Sequence, residues 1–105
     1  MKWANSLTVP PNTPQGRPVT AIIRPTVLYL KELTVDVPPG TLGSVFYRVY
    51  DYGLQILPLF GWLNDSISVA YDRRLTDQPR IILEAYSTAE DWQHTLQFSA
   101  ILENR

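Results

Sequence analysis

The sequence predicts an all-β fold: a single antiparallel β-sandwich of seven or eight strands, jelly-roll-like, behind an extended proline-rich N-terminal arm. Three observations carry this reading. Apolar residues recur with a period of two rather than 3.6 over most of the chain. Turn-forming residues separate these runs every 8–12 residues, the spacing of sandwich and barrel strands. Nine prolines in 105 residues punctuate the runs, and proline, which lacks a backbone donor, tends to fall at strand ends and turns.

The arm comes first. Residues 9–18, Val-Pro-Pro-Asn-Thr-Pro-Gln-Gly-Arg-Pro, hold four prolines and a glycine, so no helix persists there. Residues 1–18 read as an extended arm or exposed connector, and residues 19–105 as the sandwich domain. Trp3 and Val9 are apolar side chains within the arm.

Strands then follow one another. Val19, Ala21 and Ile23 alternate with Thr20, Ile22 and Arg24 before Pro25. The run from Val27 to Val37 places Leu33, Val35 and Val37 inward and Glu32, Thr34 and Asp36 outward, the pattern of a half-buried antiparallel strand. Pro38-Pro39-Gly40 ends it, and Gly43 allows a sharp bend. Ser44 to Tyr50 sets Val45, Tyr47 and Val49 on one face and Phe46, Arg48 and Tyr50 on the other. Asp51-Tyr52-Gly53 reads as a tight turn with the glycine at positive φ, and Leu54 to Leu57 returns as its hairpin partner.

Pro58 to Asp65 is an aromatic loop containing Phe60 and Trp62. Ile67, Val69 and Tyr71 begin another alternating run, and Asp72 to Pro79 is polar and turn-like. Ile81, Leu83 and Ala85 mark the strand from Arg80 to Tyr86. Thr88 to Gln93 is a turn, and Thr88 to His94 has room for a single helical turn capped by Thr88 with Asp91 at the third position. The last strand starts near His94, with Leu96, Phe98, Ala100 and Leu102 at two-residue spacing.

Composition narrows function. A formal charge of −1 removes the electrostatic drive toward nucleic acid. With no cysteine there is no disulfide framework, thiolate nucleophile or Cys-ligated zinc. The apolar runs are far shorter than the roughly 20 residues a membrane helix needs, and no signal-peptide pattern opens the chain, so a soluble protein is expected.

Catalytic patterns are weak. A catalytic serine would depend on His94, the one histidine, yet no Gly-x-Ser-x-Gly elbow is present. Glu90, Asp91 and His94 lie close in sequence, without repeated ligand spacing; Asp65, Asp72 and Asp77 match no calcium loop. Gly40-Thr41-Leu42-Gly43 lacks the lysine and hydroxyl of a phosphate loop. Arg73-Arg74 reads as a solvated turn. No catalytic, metal or cofactor residue is therefore assigned, and a non-enzymatic protein is expected.

Aromatic residues in loops are the stronger signal. Trp62, Trp92, Phe60, Tyr50 and Tyr52 fall in or beside predicted loops, where they either anchor a protein partner, stack on sugar rings or close the ends of the sandwich.

The succession of Asn12-Thr13-Pro14, Val37-Pro38-Pro39-Gly40, Val45-Phe46-Tyr47-Arg48-Val49-Tyr50, Gln55-Ile56-Leu57-Pro58, Glu84-Ala85-Tyr86 and His94-Thr95-Leu96 spans residues 10–102. It resembles small β-sandwich virion proteins of tailed phages and related environmental viruses. The resemblance implies a virion location and a capsid-decorating, capsid-associated or tail-associated subunit. It implies partnership with copies of itself and other virion proteins, with the arm lying across a neighbouring subunit and Trp3 and Val9 as its apolar anchors, and it transfers no catalytic residues. A carbohydrate-binding or adhesion module using Trp62, Trp92 and Tyr52 is the alternative reading.

Overall fold

A computed structural model describes residues 1–104. It contains eight strands: β1 (Lys2–Val9), β2 (Val19–Ile23), β3 (Tyr29–Asp36), β4 (Val45–Asp51), β5 (Leu54–Leu57), β6 (Ile67–Arg74), β7 (Ile81–Ser87) and β8 (His94–Glu103). They form two antiparallel sheets in a sandwich-like all-β arrangement, the first in the order β1-β8-β3-β6 and the second in the order β2-β7-β4-β5. The first strand pairs with the last, the second with the seventh, the third with the sixth and the fourth with the fifth. Only β4 and β5 are consecutive neighbours in one sheet; every other connection crosses to the opposite sheet.

Alternation explains the core. Val45, Tyr47 and Val49 of β4 and Ile81, Leu83 and Ala85 of β7 are fully buried, as are Leu96, Ala100 and Leu102 of β8. They join Leu30, Leu33 and Val35 of β3 and the nearly buried Phe98 in one apolar cluster drawn from both sheets. Each fully buried Val or Leu contributes about 1.5–3 kcal/mol relative to exposure, so the inward rows hold the sheets together. Among the described residues no helix is long and apolar enough to cross a membrane. The one short helical segment is a 3-10 turn over Pro39–Thr41, followed by Leu42 and Gly43 at positive φ (51° and 77°), the bend foreseen at Gly43.

Four expectations change. The arm is not an arm over its first half: Lys2–Val9 pairs residue by residue with β8, and Leu7 and Val9 lie in the core. The alternation there is obscured because Asn5 occupies the row shared by Trp3, Leu7 and Val9. The proline-rich remainder is a pinned connector. Asn12 N–H donates to the Ala89 carbonyl (2.8 Å), Ser87 N–H to the Thr13 carbonyl (3.0 Å), and the buried Thr13 hydroxyl to the Pro10 carbonyl (2.6 Å). At the β4–β5 turn Tyr52, not Gly53, takes the left-handed backbone (φ 57°). Residues 72–74 extend β6 rather than opening a turn, and Arg73 there is no solvated cation. It reaches from the first sheet to the second, donating through Nε (3.0 Å) and Nη2 (2.8 Å) to the buried Asp51 carboxylate.

Candidate partner-binding face

The outer face of the second sheet is assembled by register. Antiparallel pairing sets Phe46 opposite Tyr86, Arg48 opposite Glu84 and Tyr50 opposite Ile82. Directly opposed side chains interact most strongly across strands. Phe46 and Tyr86 stack with ring centroids 4.9 Å apart and planes 10° apart. Arg48 Nε donates to Glu84 Oε2 at 2.8 Å, a charge-assisted bond on a half-buried surface.

The 58–65 loop lies over this row. Because β5 covers only the far end of β4, the backbone of Tyr47 is left to pair with Leu63, with N–H to carbonyl bonds of 2.8 and 2.9 Å. Trp62, one residue earlier, therefore reaches the outer face. Its ring stands 4.1 Å from the Arg48 guanidinium carbon and meets Tyr86 edge-on at 4.7 Å and 89°. Tyr50 lies 5.2 Å from the same guanidinium, so Arg48 sits between two aromatic rings while Glu84 fixes its Nε.

Both ends of the loop are held. Gln55 Nε2 donates to the carbonyls of Pro58 (2.7 Å) and Gly61 (2.9 Å). At the other end the buried Tyr47 hydroxyl donates to the Asp65 carbonyl, and Asn64 Nδ2 to the Gly43 carbonyl. Burial, reinforced by the Asp65 and Asp36 carboxylates, pushes the Tyr47 phenol far above its ordinary value. Between these fixings Leu59 and Phe60 stand 73% and 91% exposed. Gly61 takes a positive φ of 73°, which lets the chain turn back directly after them.

The seven residues singled out in the sequence divide by position. Tyr50 and Trp62 share the Arg48 cluster, and Phe60 projects from the loop that covers it. Tyr52 lies at the tip of the β4–β5 hairpin, its ring 5.5 Å from Arg80. Trp92 is 74% exposed on the β7–β8 connection. Val9 is fully buried and available to no partner. Trp3 packs against the core from β1, and its indole Nε1 is buried without an acceptor among the described residues.

Phe46, Arg48, Glu84 and Tyr86 complete the site and were not singled out. Their outward positions are visible in the alternation of each strand, but the register that joins Phe46 to Tyr86 and Arg48 to Glu84 is not. Elsewhere, Glu90, Asp91 and His94 do not converge: no group of three metal-ligating side chains forms among the described residues. No protein-family model and no curated protein matches the chain.

Proposed function

We propose that the protein is a non-enzymatic structural subunit of a virion, a decoration, capsid-associated or tail-associated component that assembles through protein–protein contacts. The observation that carries this reading is the Leu59–Phe60 pair. A loop tied down at both ends presents two large apolar side chains to solvent, so little conformational entropy remains to be lost when a partner covers them. Around it, the Trp62–Arg48–Tyr50 cluster has the residue types that dominate protein interface energetics.

The topology supports the same reading. First-with-last, second-with-seventh, third-with-sixth and fourth-with-fifth pairing is what a long hairpin gives when rolled into two sheets, and we read it as a jelly roll. Jelly rolls build viral coats as well as lectins. The virion setting comes from the resemblance over residues 10–102.

The lectin alternative loses one of its anchors. One face of Trp62 lies against Arg48 and its ring meets Tyr86, which leaves it poorly placed as a sugar platform. Trp92 keeps the exposure that reading needs.

Light scattering during size-exclusion chromatography tests the proposal. The wild type is expected to form a defined oligomer, and Leu59→Ser with Phe60→Ser to run as a smaller species with an unchanged melting transition. A wild type that stays monomeric, binds no virion protein and loses glycan-array binding on Trp92→Ala would overturn it. Removing residues 1–17 is not a useful test, because it deletes β1 and two core residues.

A further inference from the structure

We infer that copies of this chain bind end to end: Trp92 of one copy, preceded by Glu90 and Asp91, seats in a pocket beside Arg74 at the opposite end of the next. The inference rests on the assembly reading and adds one contact to it.

Strand pairing sorts the connections into two ends. The 10–18, 37–44, 58–66 and 88–93 connections lie at one end of the sandwich. Thr88 N–H to the Ser44 carbonyl (2.9 Å) and Asn12 N–H to the Ala89 carbonyl tie three of them together. The β2–β3, β4–β5 and β6–β7 connections, with Met1 and Asn104, lie at the other.

Ion pairing leaves these ends with opposite charge. At the first end the exposed carboxylates of Asp36, Asp65, Glu90 and Asp91 enter no ion pair among the described residues, and Arg17 is the one Lys or Arg there. At the second end Asp51, Asp72 and Asp77 are matched by Arg73, Lys31 and Arg74. Exposed Lys2, Arg24 and Arg80 are left over, with Glu103 as the further carboxylate at that end. Opposite fields at two ends of one molecule favour head-to-tail contact over head-to-head.

The second end also holds the socket. A pocket of about 320 Å³ is lined by Thr26, Val27, Leu28, Tyr29, Arg74 and Asn104, a volume within the range of binding sites. Buried Val27 and half-buried Leu28 give it an apolar wall. Exposed Arg74 is held to Asp77 only at 3.5 Å, a surface pair of little worth, so its guanidinium is available to another carboxylate.

The first end supplies the plug. Trp92 is 74% exposed on a connection whose Thr88 and Ala89 are already pinned, so little order is lost on docking. Its indole suits the apolar wall and the Arg74 cation, and the two carboxylates before it meet the basic end. The pocket lies at the far end of the same molecule, so a second copy must fill it. Such a contact is heterologous and builds a ring or an open chain.

Sedimentation velocity reads this contact in the full chain carrying Leu59→Ser and Phe60→Ser, where the loop contact is gone. That protein should still self-associate. Adding Trp92→Ala or Arg74→Glu should each raise the dissociation constant about 30-fold, the loss of one interface anchor. Trp92→Ala keeps its pocket and Arg74→Glu keeps its tryptophan. Mixed together, they should form one-to-one dimers that grow no further, which also shows that both variants fold. A mixture no more associated than its components, or self-association unchanged by either substitution, overturns the contact. If the wild type assembles while the Leu59→Ser, Phe60→Ser parent is monomeric, the end-to-end contact falls and the assembly reading stands. A monomeric wild type overturns the contact and self-assembly together.

Discussion

The two sheets carry opposite outer faces on the same kind of backbone. The first presents short polar side chains. Thr8 and Thr95 share a hydroxyl hydrogen bond at 3.0 Å, as do Thr34 and Ser68, and Ser68 also donates to Glu32 at 2.9 Å. The second presents Phe46, Arg48, Tyr50, Glu84 and Tyr86, covered in part by Trp62. Both satisfy the rule that an antiparallel sheet buries one face and leaves the other outside. The difference teaches that alternation fixes only which side is outward. What the outward row does depends on cross-strand partners and on whether a loop folds back over it. Here one face needs only solvation, and the other is a second, shallow packing layer.

Tyr86 tests that layer most severely, because it touches both Phe46 and Trp62. Tyr86→Ala removes two ring contacts and part of a half-buried surface, and is expected to cost about 2–3 kcal/mol in urea unfolding. It should also free the 58–65 loop enough to weaken assembly. A loss below about 0.5 kcal/mol would make the aromatic row an ordinary exposed face and erase the contrast.

Strand β4 allows the inner and outer faces to be separated by pH. Tyr47 points inward and is fully buried, and burial raises its pKa above the ordinary value of 10.0. Below pH 10 the phenol is neutral in both folded and unfolded chains, and its contribution is complete. Above pH 10 the unfolded chain ionises while the folded chain resists, so stability falls by about 1.4 kcal/mol per pH unit from this group. Tyr71, raised chiefly by burial and opposed by Arg73, adds a smaller loss of the same sign. Urea midpoints between pH 9 and 11 should fall for the wild type and fall less for Tyr47→Phe. Equal slopes would show that Tyr47 is not the group responsible.

Arg48 sharpens the comparison by a smaller amount. Arg48→Lys keeps the charge but loses the planar group that lies between Trp62 and Tyr50 and bonds Glu84 through Nε. The site is partly exposed, so the expected cost is about 1 kcal/mol, read by urea unfolding. Combining it with Trp62→Ala should cost less than the separate losses together, since each removes the other's partner.

Most of the strand pattern was legible because inward valines, leucines and isoleucines recur at every second residue. β1 was not, since Lys2, Ala4, Ser6 and Thr8 face outward while Asn5 interrupts the apolar row. Its pairing with β8 is a contact between opposite ends of the chain, for which local sequence has no signal. Of the candidate site, the outward row Phe46–Arg48–Tyr50 and the aromatic loop were readable separately. Their union depends on the Tyr47–Leu63 backbone bridge, a long-range pairing that carries Trp62 onto Arg48. Arg73 misled for a related reason: a charged pair resembles a turn until the buried Asp51 across the sandwich is brought beside it.

The polar face should yield the smallest effect. Thr34→Val and Thr8→Val keep a β-branched shape suited to a strand and remove only a hydroxyl. Both hydroxyls lie on or near solvent, where water replaces the lost partner, Ser68 in one case and Thr95 in the other. Each substitution is therefore expected to change unfolding free energy by less than about 0.5 kcal/mol. Assembly should be unaffected, since neither residue lies in the aromatic row or the loop above it. A loss above about 1 kcal/mol would mean that the Thr34–Ser68–Glu32 chain acts as a cooperative network. The first sheet would then hold its strands through its outer face as the second does, with hydroxyls in place of rings.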